Sequence, residues 1–325
     1  MLLSDFRLTP PAPVAAPGVL FCCVLEQKNS SRAAAARGEL AVAAQALAQQ
    51  QGAGTSWQRM LVSDAHTSRW LEALAPTPRW EVHRSVNGVA RRNEQFLRRH
   101  PKLDRKSAGF VWKLAALLLS PFERTVFLDN DVVVLRPDLI EILLGQSLKI
   151  SDLAMPVDPR RYWRPRGGAN VPAAGRRTNL PEDPTMFTAG IPPVCSCMMA
   201  WRRTPSVSEL FESAASLLLE RAVPRDIGTG ARGVRRAARA LRQGDQEMIF
   251  TQLVHGRSAA AKPSLLVLPE EYYCPGVSAW SGKAALPYVW STSFGEYPCY
   301  AVHGHELAAN MTERNAALGL SRAMV

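Results

Sequence analysis

The chain has 325 residues, 47% of them hydrophobic and 21% charged, a composition that excludes a disordered or collagen-like chain and leaves room for a large core. Its formal net charge of +11, carried mostly by arginine, favours anionic partners without choosing among nucleotides, nucleic acid, acidic lipid and acidic glycans; a biased genomic composition accounts for it equally well. No run approaches the roughly 20 apolar residues of a membrane span.

Residues 1–17 are proline-rich and read as an irregular extension, without the basic start and long apolar stretch of a secretory signal. An apolar run over 18–25 predicts a first strand, and the Ala-rich 31–50 a helix capped at Ser30 or Ser31. Residues 58–62, ending in Ser63-Asp64, predict a second strand, 70–75 a short helix and 80–86 a third strand. Strand alternating with helix implies a parallel sheet covered on both faces. Residues 91–100 look polar and irregular, and 106–119 helical up to Ser120-Pro121. A strand follows, then a helix from Pro137 to about Gly145 and a strand over 152–157.

Residues 158–185 and 224–243 are Arg-, Gly- and Pro-rich and read as loops. The second has little aromatic interleaving, which disfavours single-stranded nucleic acid. Between them 194–201 is apolar. Residues 205–223 form an amphipathic helix with Val207, Leu210, Phe211, Ala214, Leu217 and Leu218 on one stripe. Residues 246–253 read as helix, 264–268 and 299–302 as late strands, and 307–325 as a terminal helix or tail.

Six cysteines are spread along the chain with no Cys-x-x-Cys spacing. Cys22 and Cys23, adjacent on a strand, point to opposite faces, while Cys195 and Cys197 share one. Most, Cys195 and Cys197 included, read as buried thiols; a disulfide between two late cysteines stays open for an oxidising compartment.

The most informative stretch is Thr125-Val-Phe-Leu-Asp-Asn-Asp-Val-Val-Val-Leu135. An apolar run ends in Asp129 and Asp131, and burying carboxylates without a partner is costly. Two of them facing one point repel unless a cation or shared proton lies between. Hard oxygen ligands suit Mg2+ or Mn2+, which in turn bind phosphates. Each signal also has a plain structural reading. Asp-x-Asp occurs in loops and helix caps, Lys113 fits a snorkelling lysine, Asp245-Gln246 fits a helix N-terminus, and His303 fits an exposed histidine beside a strand.

From Lys113 to Asp131 the order Lys-Leu-Ala-Ala-Leu-Leu-Leu-Ser-Pro-Phe-Glu-Arg-Thr-Val-Phe-Leu-Asp-Asn-Asp resembles the core of GT-A-fold nucleotide-diphospho-sugar glycosyltransferases, nearest the glycogenin-like family 8. Further blocks follow in the same order. Ser196–Trp201 resembles the family's Asn-Ser-Gly block, with Cys195 and Cys197 standing where the family has Asn and Gly. Gly244-Asp245-Gln246 resembles its Gly-Asp-Gln segment, Leu268-Pro-Glu-Glu-Tyr-Tyr-Cys274 a late block, and Val302-His303-Gly304-His305 its late metal-binding histidine. The family's following Lys-Pro-Trp is absent. The likeness runs over about 18–306.

This resemblance implies an α/β fold: a single GT-A (Rossmann-like) domain, a mostly parallel central sheet with helices on both faces, and a small antiparallel addition near the active site. It implies Mn2+ or Mg2+ held by Asp129, Asp131 and His303, with His305 a lesser candidate, and Asn130 near the ribose. Lys113 would sit by the diphosphate or donor sugar, and Asp245 and Gln246 by the reacting sugar. The donor would be a nucleotide sugar, with UDP the expected nucleotide, and the acceptor a hydroxyl of a glycan, protein or small molecule. By analogy the anomeric configuration would be retained. No nucleic-acid partner is expected, peripheral membrane contact stays open, and Golgi lumen and cytoplasm both fit. Two other readings are a haloacid-dehalogenase-type phosphatase with Asp129 as nucleophile and Asp131 as acid, and a non-catalytic sugar-nucleotide- or glycan-binding protein on the same fold.

Overall fold

The computed structural model describes residues 8–9, 11–24, 31–50, 56–73, 80–86, 89–99, 105–136, 138–157, 194–221, 248–249, 251–253, 262–269, 272, 274–275, 289–292, 295–298 and 300–303. The first half alternates as expected: β1 (Gly18–Cys23), α1 (Ser31–Gln50), β2 (Gln58–Asp64), α2 (Ala65–Ala73), β3 (Val82–Val86), α3 (Val89–Arg99), α4 (Arg105–Leu118) and β4 (Arg124–Leu128). Then come β5 (Val132–Val134), a short mixed helix, β6 (Leu153–Pro156), β7 (Met198–Arg202), the long helix Pro205–Arg221 and β8 (Leu265–Leu268). The remaining strands are β9 (Cys274–Pro275), β10 (Val289–Thr292), β11 (Gly295–Pro298) and β12 (Ala301–His303).

Seven strands form the central sheet in the order β3-β2-β1-β4-β7-β6-β8. Pairings are parallel across β3, β2, β1 and β4, antiparallel on either side of β7, and parallel again between β6 and β8. The central strands are apolar along their length because both faces are covered. On one face Leu20, Met60, Val62, Phe127 and Met199 meet Val111, Trp112 and Ala115 of α4 and Val207, Phe211 and Ala214 of the long helix. On the other Val19, Phe21, Leu61, Val126 and Ala200 meet Leu40, Ala43 and Leu47 of α1 and Leu143, Leu144 and Leu148 of the mixed helix. Cys22 and Cys23 divide between these faces as their adjacency requires.

A small three-stranded sheet, β5-β12-β9, adjoins the end of β4. Its β5–β12 pair is antiparallel, which is the small addition expected beside Asp131.

Three local expectations need correction. Residues 91–100 are not irregular: α3 is a helix because Val89, Asn93 and Phe96 recur on one buried face, and Asn93 Oδ1 accepts the Trp112 indole N–H. The short helix expected at 70–75 starts at Ala65, because Asp64 caps it: Oδ1 accepts the His66 N–H at 2.9 Å and the Thr67 N–H at 3.0 Å. Gly145 does not end the helix after Pro137. The chain runs from Leu139–Glu141 through a π-helical Ile142–Ser147 to Leu148–Ile150. Burial of Leu143, Leu144 and Leu148 holds it together, and Arg124 donates to the Leu144 carbonyl at 2.9 Å.

Gly18 is required by close approach. A Cβ there would overlap the ring of Phe122, which fills the space between the start of β1 and the turn into β4.

Candidate active site

The site is built at the carboxyl edge of the parallel strands, where β4 stops. The strand ends at Leu128 and does not continue through Asp129 and Asp131. A turn replaces it: the Asp129 N–H donates to the Cys197 carbonyl at 2.8 Å, and the Val132 N–H donates back to the Asp129 carbonyl at 3.0 Å. The alternation of a strand therefore does not bring the two carboxylates together; they flank a turn between two sheets.

Asp129 is held from the side. Helical side chains lean toward the helix N-terminus, and α4 leads directly into β4, so Lys113 reaches over the strand's carboxyl end. Its Nζ lies 2.9 Å from Asp129 Oδ1 and 3.0 Å from Oδ2, donates to Ser196 Oγ at 3.2 Å, and rests 5.0 Å from the Phe127 ring centre. The Lys113 side chain is 12% exposed and that of Asp129 27%. This pair is largely sheltered, with the carboxylate the more exposed partner, so its attraction is stronger than that of a fully solvated pair. Asp131 is buried at 6% exposure. Between the two aspartates, Asn130 Oδ1 is buried with no hydrogen-bond partner among the described residues. A buried carbonyl oxygen left unmatched costs about 1–3 kcal/mol, so a ligand group that satisfied it would be favoured.

The small sheet places the backbone of His303 next to this turn, since His303 pairs with Val132, the residue after Asp131. Cys22, at the end of β1, lies close enough to Asp129 that burial and that carboxylate push its thiol up to about 12, so it stays protonated at neutral pH. Asp245, Gln246 and His305 lie outside the described residues, as do the loops at 158–185 and 224–243.

Cys195 and Cys197 are both buried, as expected, but they are joined as a disulfide and are not two free thiols. The turn after Cys195 brings both side chains to one side, and the Cys197 N–H points at Cys195 Sγ, 3.3 Å away. The residue between them, Ser196, is 3% exposed and is a site residue that sequence reasoning misses. Its position as the serine of the Asn-Ser-Gly-like block was the available signal.

A second polar cluster lies at the ends of β2 and β3. Ser63 Oγ and Ser68 Oγ are 2.8 Å apart, and each is 3.0 Å from His83 Nε2. Asp64 also accepts from the Thr67 hydroxyl at 2.7 Å. Partial burial of the His83 ring lowers its pKa below the ordinary histidine range, with Glu72 opposing.

Among the described residues no three His, Cys, Asp or Glu side chains converge on one point. The carboxylate oxygens of Asp129 and Asp131 are of the kind a hard divalent cation takes, and the small sheet sets the His303 backbone beside their turn. Among the described residues no helix is long and apolar enough to cross a membrane.

No known family model matches the sequence, and neither does any curated protein. Solved structures do resemble it. The galactosyltransferase LgtC in complex with donor and acceptor sugar analogs matches at a TM-score of 0.50 and 11% identity, over 93% of this chain and 95% of that one. An active-site mutant of LgtC matches at 0.50 and 12%, over 95% and 100%. The apo form of mouse xyloside xylosyltransferase 1 gives 0.49 and 14%, over 90% and 97%. The two LgtC structures, with the strand order above, define the fold as that of the GT-A glycosyltransferases. The Asp129–Asp131 turn follows the fourth strand in the chain, whereas the haloacid-dehalogenase reading requires it on the first.

Proposed function

We propose that this chain is a metal-dependent glycosyltransferase that moves a sugar from a nucleotide-diphosphate sugar, with UDP as the nucleotide, to a hydroxyl of a glycan, protein or small-molecule acceptor. The observation that carries this reading is the Lys113–Asp129 pair next to the buried Asp131 and the orphaned Asn130 oxygen, on a GT-A fold. In this reading Asp129, Asp131 and His303 hold Mn2+ or Mg2+, which when bound neutralises charge on the departing diphosphate. Lys113 adds a fixed positive charge at the same place and, through Asp129, keeps one carboxylate oriented before the donor arrives. Asn130 Oδ1 accepts a hydrogen bond from a ribose hydroxyl, which removes the cost of its present isolation. Asp245 and Gln246 act beside the donor sugar, where a carboxylate or amide stabilises positive charge developing at the anomeric carbon. A nucleoside diphosphate is already a good leaving group, so the protein's part is mainly positioning and exclusion of water.

A panel of UDP- and GDP-sugars with Mn2+, followed by release of the nucleoside diphosphate with and without acceptors, tests this. Turnover of at least one donor that stops on chelation is the expected result. Binding without turnover across the panel would favour the non-catalytic reading instead.

A further inference from the structure

We infer that the Cys195–Cys197 disulfide is a redox-sensitive clamp that sets the position of Lys113 and Asp129. The inference rests on the reading of those two residues as part of the donor site. The three-residue loop Cys195-Ser196-Cys197 touches the site at two points. The Ser196 hydroxyl accepts from Lys113 Nζ at 3.2 Å, and the Cys197 carbonyl accepts from the Asp129 N–H at 2.8 Å. A third bond, from the Cys195 N–H to the Pro156 carbonyl at 2.8 Å, ties the loop to the end of β6. One small covalently closed loop therefore anchors both members of the ion pair, one through a side chain and one through the backbone. Ser196 acts as a positioning residue.

Opening the clamp needs a thiol reductant. A dithiol's first thiolate attacks one cysteine sulfur, forms a mixed disulfide and releases the other sulfur, which takes a proton. Its second thiolate then attacks the mixed disulfide, closes the reductant's own disulfide and frees the remaining cysteine as a thiol. Two electrons and two protons pass in total from the dithiol to Cys195 and Cys197. Cys197 keeps 6% of its surface exposed and Cys195 none, so the reductant reaches Cys197 first. Once reduced, the loop loses its covalent closure. Ser196 and the Cys197 carbonyl are then no longer fixed relative to each other, and the Ser196 bond to Lys113 is released.

The test uses the full chain in oxidised and dithiothreitol-reduced forms. Alkylation with mass mapping should leave Cys195 and Cys197 unlabelled before reduction and label both afterwards. Acylation of Lys113 by an amine-reactive reagent, read on its peptide, should speed up several-fold on reduction. UDP binding in the presence of Mn2+ should weaken by about tenfold, the size of one lost hydrogen bond to a charged group. A Cys195→Ser/Cys197→Ser variant should match the reduced protein regardless of reductant. Ser196→Ala should raise Lys113 labelling with the disulfide intact, and Ser196→Thr should restore protection. Thiols that alkylate freely before reduction, or Lys113 labelling equal in the two forms, would overturn the inference. Should Lys113 labelling respond while UDP with Mn2+ binds neither form, the clamp stands and the sugar-transfer reading fails.

Discussion

The carboxyl ends of β2 and β4 each carry an aspartate at 6% exposure, Asp64 and Asp131, and their surroundings differ in kind. At β2 the polar groups answer one another. Asp64 caps α2 through two backbone N–H groups and the Thr67 hydroxyl, and Ser63, Ser68 and His83 form a closed triangle. At β4 the chain turns, Asp129 is braced by a lysine from another element, and a buried amide oxygen on Asn130 has no partner among the described residues. The first cluster is complete as it stands and belongs to the fold. The second has capacity left over, and unmet buried hydrogen-bonding capacity is how a fold leaves room for a ligand.

The contrast can be broken by substitution. Asp131→Asn should cut Mn2+-dependent sugar transfer by about a thousandfold, equivalent to about 4 kcal/mol at the transition state, with an unchanged circular dichroism spectrum. Asp64→Asn should leave transfer within about threefold and instead lower stability by about 1 kcal/mol in urea titrations. If the two exchanged phenotypes, the division between folding and functional cluster would be wrong. Lys113→Met should lower kcat/KM by about a hundredfold, with Lys113→Arg recovering part of it, because a fixed positive charge would be lost beside the diphosphate.

At the opposite end of the sheet the effect should fall on stability. Gly18→Ala should cost about 1–3 kcal/mol, seen as a lower urea midpoint with an unchanged slope, because the added methyl meets Phe122. The smallest effect is in pH. His83 has its pKa lowered in the folded chain by partial burial, so folding favours its neutral form. That contribution is full above the ordinary histidine pKa of about 6.5 and declines as pH falls through the lower folded value. Stability of wild type should therefore drop slightly more than that of His83→Gln between about pH 7 and pH 5.

Much of the architecture was legible in the sequence for a specific reason. Strands buried on both faces, such as Val19–Phe21 and Val126–Leu128, are apolar without interruption, and the stripe Val207, Leu210, Phe211, Ala214 announces its helix. What was not legible depended on partners far along the chain. α3 looked polar because its inward face is completed by Asn93, whose amide is matched by Trp112 on another helix. Gly145 looked like a helix end because the sequence does not show that Arg124 would donate to the Leu144 carbonyl. In the site, Asp129 and Asp131 stood out through their charge inside an apolar run. Ser196 did not, because a small buried hydroxyl gains meaning only when Lys113 is found beside it.

The most direct measurement is calorimetric titration of UDP into the chain with Mn2+, with Mn2+ chelated, and into Asp131→Ala with Mn2+. The account predicts saturable binding in the first case and loss of about tenfold or more in affinity in the other two. Equal affinity in all three would contradict it, because the aspartates around Asn130 would then take no part in holding the diphosphate.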